Sequence, residues 1–186
     1  SIAESMSAVD RAGWNALANP PGERYDPFLD WDFLEAAESS GCAQPDTGWT
    51  PRHMLAHDAT GKLVGAAPLY LKTHSRGEFV FDHSWADALH RAGGRYYPKL
   101  LCAVPFTPVT GRRLLATGPN APAIRQAMAG AIVEVAQQWR VSSAHFNFLE
   151  EQEWQALGLQ ELLLREDQQF HWLNRGYGSF EDFLGA

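Results

Sequence analysis

The sequence predicts an α/β fold, with a mixed, largely antiparallel sheet flanked by helices. Three observations carry this. Residues 53–82 hold three strand-like runs separated by turn signals. Beyond residue 99, strand-like runs alternate with helical ones, the pattern of a sheet covered on both faces. The run after Asn120 carries apolar side chains at helical spacing over several turns.

Taken in order, residues 8–18 place Val9, Trp14 and Leu17 on a helical face, and Asn19-Pro20-Pro21-Gly22 ends it as a turn. Asp26-Pro27 predicts the start of a second helix, with Leu29, Phe33, Ala36 and Ala37 on its apolar side. Gly41 is its left-handed stop. His53–His57 is a strand, and Asp58-Ala59-Thr60-Gly61 a hairpin loop. Residues 62–72 continue as a strand in which Pro68 removes a ladder donor, which predicts an edge or a bulge there. Glu78–Asp82 reads as a third antiparallel strand, and residues 84–92 as a helix ended by Gly93-Gly94. Residues 99–104 are a buried strand and 105–118 a Pro-, Thr- and Gly-rich loop. Asn120 caps the clearest helix, with Ile124, Met128, Ala131, Val135 and Trp139 on one face. Residues 144–149 form a strand, 153–157 a short helix, and 162–172 contain a last strand. Ser179 caps a final helix.

The chain has 186 residues, enough for one domain with a sizeable core. A net charge of −7 disfavours general nucleic-acid binding. Only two cysteines, Cys42 and Cys102, are present, so neither a disulfide scaffold nor a CxxC metal knuckle is available. They read as small buried residues of a reducing compartment, which points to the cytoplasm. No run approaches the ~18 apolar residues of a membrane span.

The more telling sequence is local. Tyr96-Tyr97-Pro98-Lys99-Leu100 is followed by Val104-Pro105-Phe106-Thr107-Pro108-Val109-Thr110-Gly111-Arg112-Arg113. Phe170–Tyr177 then precedes Phe180-Glu181-Asp182-Phe183-Leu184. These segments resemble the bacterial FemAB-like group, whose members are labelled as peptidoglycan biosynthesis or recognition proteins, within the GNAT acyltransferase superfamily. The resemblance covers essentially the whole chain. It implies a GNAT-like fold and an acyl- or aminoacyl-transferase function. The donor would be acyl-CoA or aminoacyl-tRNA, with no permanently bound cofactor. The acceptor would be an amine on a small molecule or peptide-sugar, such as a cell-wall precursor. Members of the group are about twice this length. Ser1 in place of an initiator Met, and a helix that has barely begun at Ala186, make residues 1–186 read as a single lobe trimmed at both ends, its second lobe absent.

Transfer of an acyl group to an amine needs an anion handle for the donor, a hydrogen-bond donor for the carbonyl oxygen, and a base for the amine. The usual GNAT phosphate loop, Gln/Arg-x-x-Gly-x-Gly/Ala, is missing. Thr110, Gly111, Arg112 and Arg113, with Gly118 and Asn120 at the next helix start, are the nearest equivalent. The plain alternative is a loop with glycine for its turns and solvated arginines. Tyr96, Tyr97 and Lys99, with Phe106 and Thr107, are the candidate groove residues, or else a packed corner. Asp82, His83 and His171 are the candidates for the base, and a helix cap is the competing role for Asp82. His145 and Asn147 sit on a strand, where a structural role is the commoner one. His53 and His57 share a strand face without HExxH chemistry, so no metal site is predicted. With no activated nucleophile visible, direct transfer in a ternary complex is expected. The competing reading is a non-catalytic recognition lobe.

Overall fold

The computed structural model describes all of residues 1–186. It is a mixed α/β architecture, and its geometry is set by one corner. Strands β2 (Trp49–Pro51) and β3 (His53–His57) are separated only by Arg52, and β4 (Leu63–Ala67) and β5 (Leu69–Lys72) only by Pro68. The register runs through both breaks, with Pro51 opposite Tyr70 and Met54 opposite Ala67. Arg52 N donates to Leu69 O at 2.8 Å. Pro68 therefore lies neither at an edge nor in a bulge. It sits where a long hairpin bends from one four-stranded sheet into another, and a missing N–H costs no ladder bond at such a bend.

One sheet has the order β1 (Ile2–Ala3), β3, β4, β7 (Leu115–Ala116). The other has the order β2, β5, β6 (Lys99–Cys102), β8 (Ala144–Phe146). All pairs are antiparallel except β6 with β8. Beyond β6, Ala103 N still bonds Pro68 O. The chain then leaves the ladder at Val104 and rejoins it at β7. The segment 104–113 is an excursion from what is otherwise one continuous bent strand.

Helices cover both faces. Alpha helices α1 (Arg11–Ala18) and α2 (Trp31–Ser39) share a core with Met6, Ala66 and Leu115. On the opposite face, α4 (Ala121–Gln138) and α5 (Glu151–Gly158) pack with Met54, Ala67, Leu100 and Cys102. Successive residues Ala66 and Ala67 thus serve opposite layers, as the strand period requires. A third cluster joins Ala43, Trp49, Tyr70, Leu101 and Ala103. Helix α3 (His83–Arg91) has no buried residue, and α6 (Phe180–Leu184) closes the chain.

Gly65 sets the α4–sheet distance. A Cβ there would lie 2.6 Å from Met128 Sδ and 2.7 Å from Ile124 Cγ2. Met128 can swing aside, but β-branched Ile124 cannot. Gly65→Ala is expected to lower stability by about 1–3 kcal/mol in denaturant unfolding. No loss would mean that α4 shifts freely on the sheet.

Several sequence expectations need correction. Helix α2 starts at Trp31, capped by Asp30, whose side chain accepts from Asp32 N. Asp26 instead accepts from Phe28 N at 3.0 Å and pairs through its backbone with Asn19, making a turn. The buried face of α4 is Ala121, Met128, Ala129, Ile132 and Ala136, and Trp139 lies beyond the helix, 40% exposed. Cys42 is exposed, while Cys102 is buried. No strand forms in 162–172 or in 78–82. Residues 162–178 run without a sheet partner. They are tied back by Arg165 to Val80 O and Gln169 to Pro108 O, and Trp172, Tyr177 and Phe183 stack on one another. No helix is long and apolar enough to cross a membrane.

Candidate functional site

Lys72 at the end of β5 and Lys99 at the start of β6 are directly opposite each other in register. Both side chains are fully buried. Two like charges facing across a ladder repel, and burial raises the cost of each. The segment 73–82, which links β5 to α3, supplies the compensation. Glu78 Oε2 lies 2.9 Å from Lys99 Nζ, and Glu78 Oε1 lies 4.0 Å from Lys72 Nζ. Asp82 Oδ2 lies 2.7 Å from Lys99 Nζ and accepts from Tyr96 Oη at 2.7 Å. Lys99 also donates to Ser75 Oγ at 2.9 Å, and Ser75 Oγ pairs with Tyr97 Oη at 2.8 Å. Lys72 donates to Arg76 O and stands 3.6 Å above the Trp49 ring.

This linker is turned inside out. Glu78 and Asp82 are buried, whereas Phe79 and Phe81 are 46% and 72% exposed. Both phenylalanines hold left-handed backbone, with φ of 58° and 50°. Such conformations are costly for a residue with a bulky side chain and persist only where the surroundings enforce them. Here the enforcing contacts are the carboxylates gripping two lysines. Gly77, at φ 80°, lets Phe106 close over the linker, since a Cβ there would sit 2.5 Å from the Phe106 ring. Phe106 in turn packs on Trp49.

The electrostatics follow from burial. Desolvation pulls Lys72 down to about 7, despite opposition from Glu78. Burial also raises Glu78, against the pull of Lys99. Burial alone would raise Asp82, but hydrogen bonds from Lys99, Ser75 and Tyr96 outweigh it and hold the group at about 2. Glu78 Oε1, 4.0 Å from Lys72 Nζ, and Asp82 Oδ1 are buried without a hydrogen-bond partner. Free acceptor capacity therefore remains inside the network.

The structure thus gathers Asp82, Tyr96, Tyr97 and Lys99, with Phe106 as a cover. The other sequence candidates lie apart. His83 opens α3 and is exposed. His171 is exposed and its ring pairs with Gln169. Asp82 occupies the cap position of α3, but its side chain makes no cap bond. Thr107 bonds Pro105 O, and Thr110 is exposed. Gly111 is small because Asp26 Oδ2 would meet a Cβ at 2.8 Å. Arg112 pairs with Glu23 and donates to Ala18 O. Arg113 is 1% exposed and donates to Asn147 O, Arg112 O and Val109 O. Both arginines are thus engaged within the protein.

Comparison with known proteins adds a family. The FemAB-like family, described as peptidoglycan biosynthesis/recognition, matches residues 5–186. The chain belongs to that family. Among solved structures, an acetyltransferase from Trypanosoma brucei is similar at 12% identity and a TM-score of 0.46, over 93% of this chain and 97% of that one. No curated protein matches.

In this FemAB-like chain, sequence reasoning missed Lys72, Ser75 and Glu78. Their signal was faint: a lysine at each of two strand ends and an acid-aromatic alternation between them. His145 was weighed as a strand histidine, and it borders the network. Its ring lies 5.9 Å from Tyr96, and its Nε2 is 2.9 Å from Ser143 Oγ. Burial, and next the Lys99 charge, lower it from 6.5 to about 4. Because the folded state rejects this proton, the unfolded chain binds more protons between pH 6.5 and 4, so stability falls as pH falls through that window. The full difference is on the order of 3 kcal/mol. His145→Phe should flatten the acid limb of a stability–pH profile over that range. An unchanged limb would assign the acid sensitivity elsewhere.

Proposed function

We propose that this FemAB-like chain is an acyl- or aminoacyl-transferase lobe acting on an amine of a peptide-sugar acceptor, with the linker 73–82 and the two opposed lysines as its chemical centre. The inside-out linker is the observation that carries this reading. It buries Glu78 and Asp82 with unused acceptor capacity, against the usual preference for exposed acids and buried phenylalanines.

An ammonium acceptor must lose a proton before its nitrogen can attack. Lys72, brought to about 7, is matched to that task near neutral pH. Its neutral amine takes the proton once the linker admits the acceptor. The amine nitrogen then forms the new C–N bond at the donor carbonyl. The C–S bond of an acyl-CoA, or the ester C–O bond of an aminoacyl-tRNA, breaks, and the leaving group departs with a proton released by the acceptor nitrogen. Lys99 and Tyr96 fix Asp82, which accepts a hydrogen bond from the acceptor. A covalent enzyme intermediate is disfavoured by the cysteines: burial pushes the Cys102 thiol up, away from thiolate.

The test is transfer of a labelled acyl or aminoacyl group to a peptidoglycan precursor, with acyl-CoAs and aminoacyl-tRNAs as donors. Activity should fall as pH drops through about 7, and Lys72→Met should abolish both the activity and that limb. Unaltered turnover in Lys72→Met would remove this lysine from the chemistry. A second reading, a recognition lobe without catalysis, is favoured by one observation. Arg112 and Arg113, the nearest equivalent of a donor-phosphate loop, are committed to carbonyls and Glu23. It predicts precursor binding with no donor binding in calorimetry.

A further inference from the structure

On the outer side of Tyr97 lies a cavity of about 460 Å³, lined by Arg95, Tyr97, Pro98, Trp139, Arg140 and Ser142. No carboxylate lines it. Its walls come from two segments far apart in sequence, and they are stapled together. Ser142 N donates to Pro98 O at 2.8 Å, and Ser142 Oγ donates to Tyr96 O. Tyr97 forms part of the wall through its ring, which packs edge-on against Tyr96 at 5.1 Å, while its hydroxyl is held by Ser75. Arg140 sits in left-handed backbone at φ 52°, just past the end of α4, with Val141 N bonded back to Ala136 O at 3.1 Å. Arg140 thus stems from backbone fixed by these bonds, and Arg95 directly precedes Tyr96, whose carbonyl Ser142 holds.

We infer that this cavity is a binding site for a phosphoryl group carried on a sugar or other ring. Two guanidiniums share one concave surface in a chain of net charge −7. Unlike Arg112 and Arg113, which are spent on carbonyls and Glu23, Arg95 and Arg140 are held by no acid or carbonyl. A carboxylate satisfies one guanidinium with its two oxygens. A phosphoryl group has three oxygens and up to two charges, so it can be shared by two. Trp139, 40% exposed beside them, offers a face on which an attached ring can rest. The site is distinct from the network of Lys72 and Lys99 and meets it through the Tyr97–Ser75–Lys99 hydrogen bonds and through Ser142, which holds the Tyr96 carbonyl.

The experiment is calorimetric titration of the whole chain, without any acyl donor, in phosphate-free buffer at fixed ionic strength. The ligands are inorganic pyrophosphate, inorganic phosphate, glucose 1-phosphate and citrate. Pyrophosphate and the sugar phosphate should bind. Arg95→Gln and Arg140→Gln should each weaken binding about tenfold or more, with unchanged melting temperatures because both side chains are exposed. Trp139→Ala should weaken glucose 1-phosphate and leave pyrophosphate untouched. The site is refuted if no phosphoryl ligand gives heat, if the double arginine variant binds as well as the parent, or if citrate competes equally. Equal affinity for inorganic and sugar phosphate in the parent overturns the ring-bearing part. Since no donor is present, failure here leaves the transferase reading intact, and failure of transfer leaves this site intact.

Discussion

Lys99→Met should destabilise the fold by about 3–5 kcal/mol, the range for breaking a buried ion set by removing one partner. The ammonium of Lys99 lies 2.9 Å from Glu78, 2.7 Å from Asp82 and 2.9 Å from Ser75 Oγ. Without it, two carboxylates stay buried with only Lys72, itself 4.0 Å from Glu78, to offset them. Two further outcomes separate this electrostatic cause from simple misfit of the new side chain. First, part of the loss should be recovered on acidification, because protonation removes the stranded charges. In the parent, Asp82 has the opposite sign. Its depressed pKa gives stability that is full above about 4 and is lost as pH falls towards about 2. Second, the triple variant Lys99→Met, Glu78→Gln, Asp82→Asn should be markedly more stable than the single variant, since it deletes the charges together. Chemical denaturation of the three proteins across pH 2–8 measures all of this. A loss below about 1 kcal/mol for Lys99→Met would show that the carboxylates are already neutral or that water reaches them.

The same network explains what the sequence could and could not reveal. The hairpin at Asp58–Gly61 and the helices α1 and α4 were legible because periodicity and turn chemistry are local properties. Gly61 does hold positive φ and Ser179 does accept a cap bond, whereas Asn120 occupies the cap position of α4 without making one. The alternation Glu78-Phe79-Val80-Phe81-Asp82 reads as a strand. In the structure it is an irregular linker with its acids buried and its phenylalanines outward, because Lys72 and Lys99 meet across a ladder and require acids nearby. That requirement is a property of register, and no spacing along one chain displays it. Pro68 was read as a strand defect for the right reason, a missing donor. Which consequence follows, edge, bulge or corner, depends on the partner strands. Tyr96, Tyr97 and Lys99 were reached through family resemblance, and the geometry joins them to Asp82. The excursion 104–113 was legible as a loop but not as an interruption of one strand. Its arginines therefore looked like ligands for an external anion rather than for carbonyls that lost their ladder.

That last point gives the second large expected effect. Leaving the ladder between β6 and β7 leaves the backbone around Val104–Arg113 with a single parallel bridge, Gly111 to Leu149, and its other carbonyls must find partners elsewhere. The Arg113 guanidinium supplies three bonds, to Asn147 O at 3.0 Å, Arg112 O at 3.0 Å and Val109 O at 2.7 Å. Glu153 of α5 completes the arrangement from the other side. It accepts from Arg113 N at 2.9 Å and Leu114 N at 2.7 Å. One cation and one anion thus replace a stretch of missing sheet, and each charge is buried with the other nearby. Arg113→Met keeps the volume of the stem but orphans the carbonyls and leaves Glu153 uncompensated. Its cost is expected at about 3–5 kcal/mol. Arg113→Lys should recover only a minor part, because an ammonium cannot match the planar fork that reaches three carbonyls. Arg112→Gln, by contrast, loses an ion pair with the exposed Glu23 and one carbonyl bond, and should cost about 1 kcal/mol or less. Denaturant unfolding of the three variants decides between the two roles of this loop. If Arg113→Met folds as stably as the parent while losing anion binding, the arginine serves a ligand. If stability collapses in Arg113→Met alone, the arginine is what holds the excursion in place.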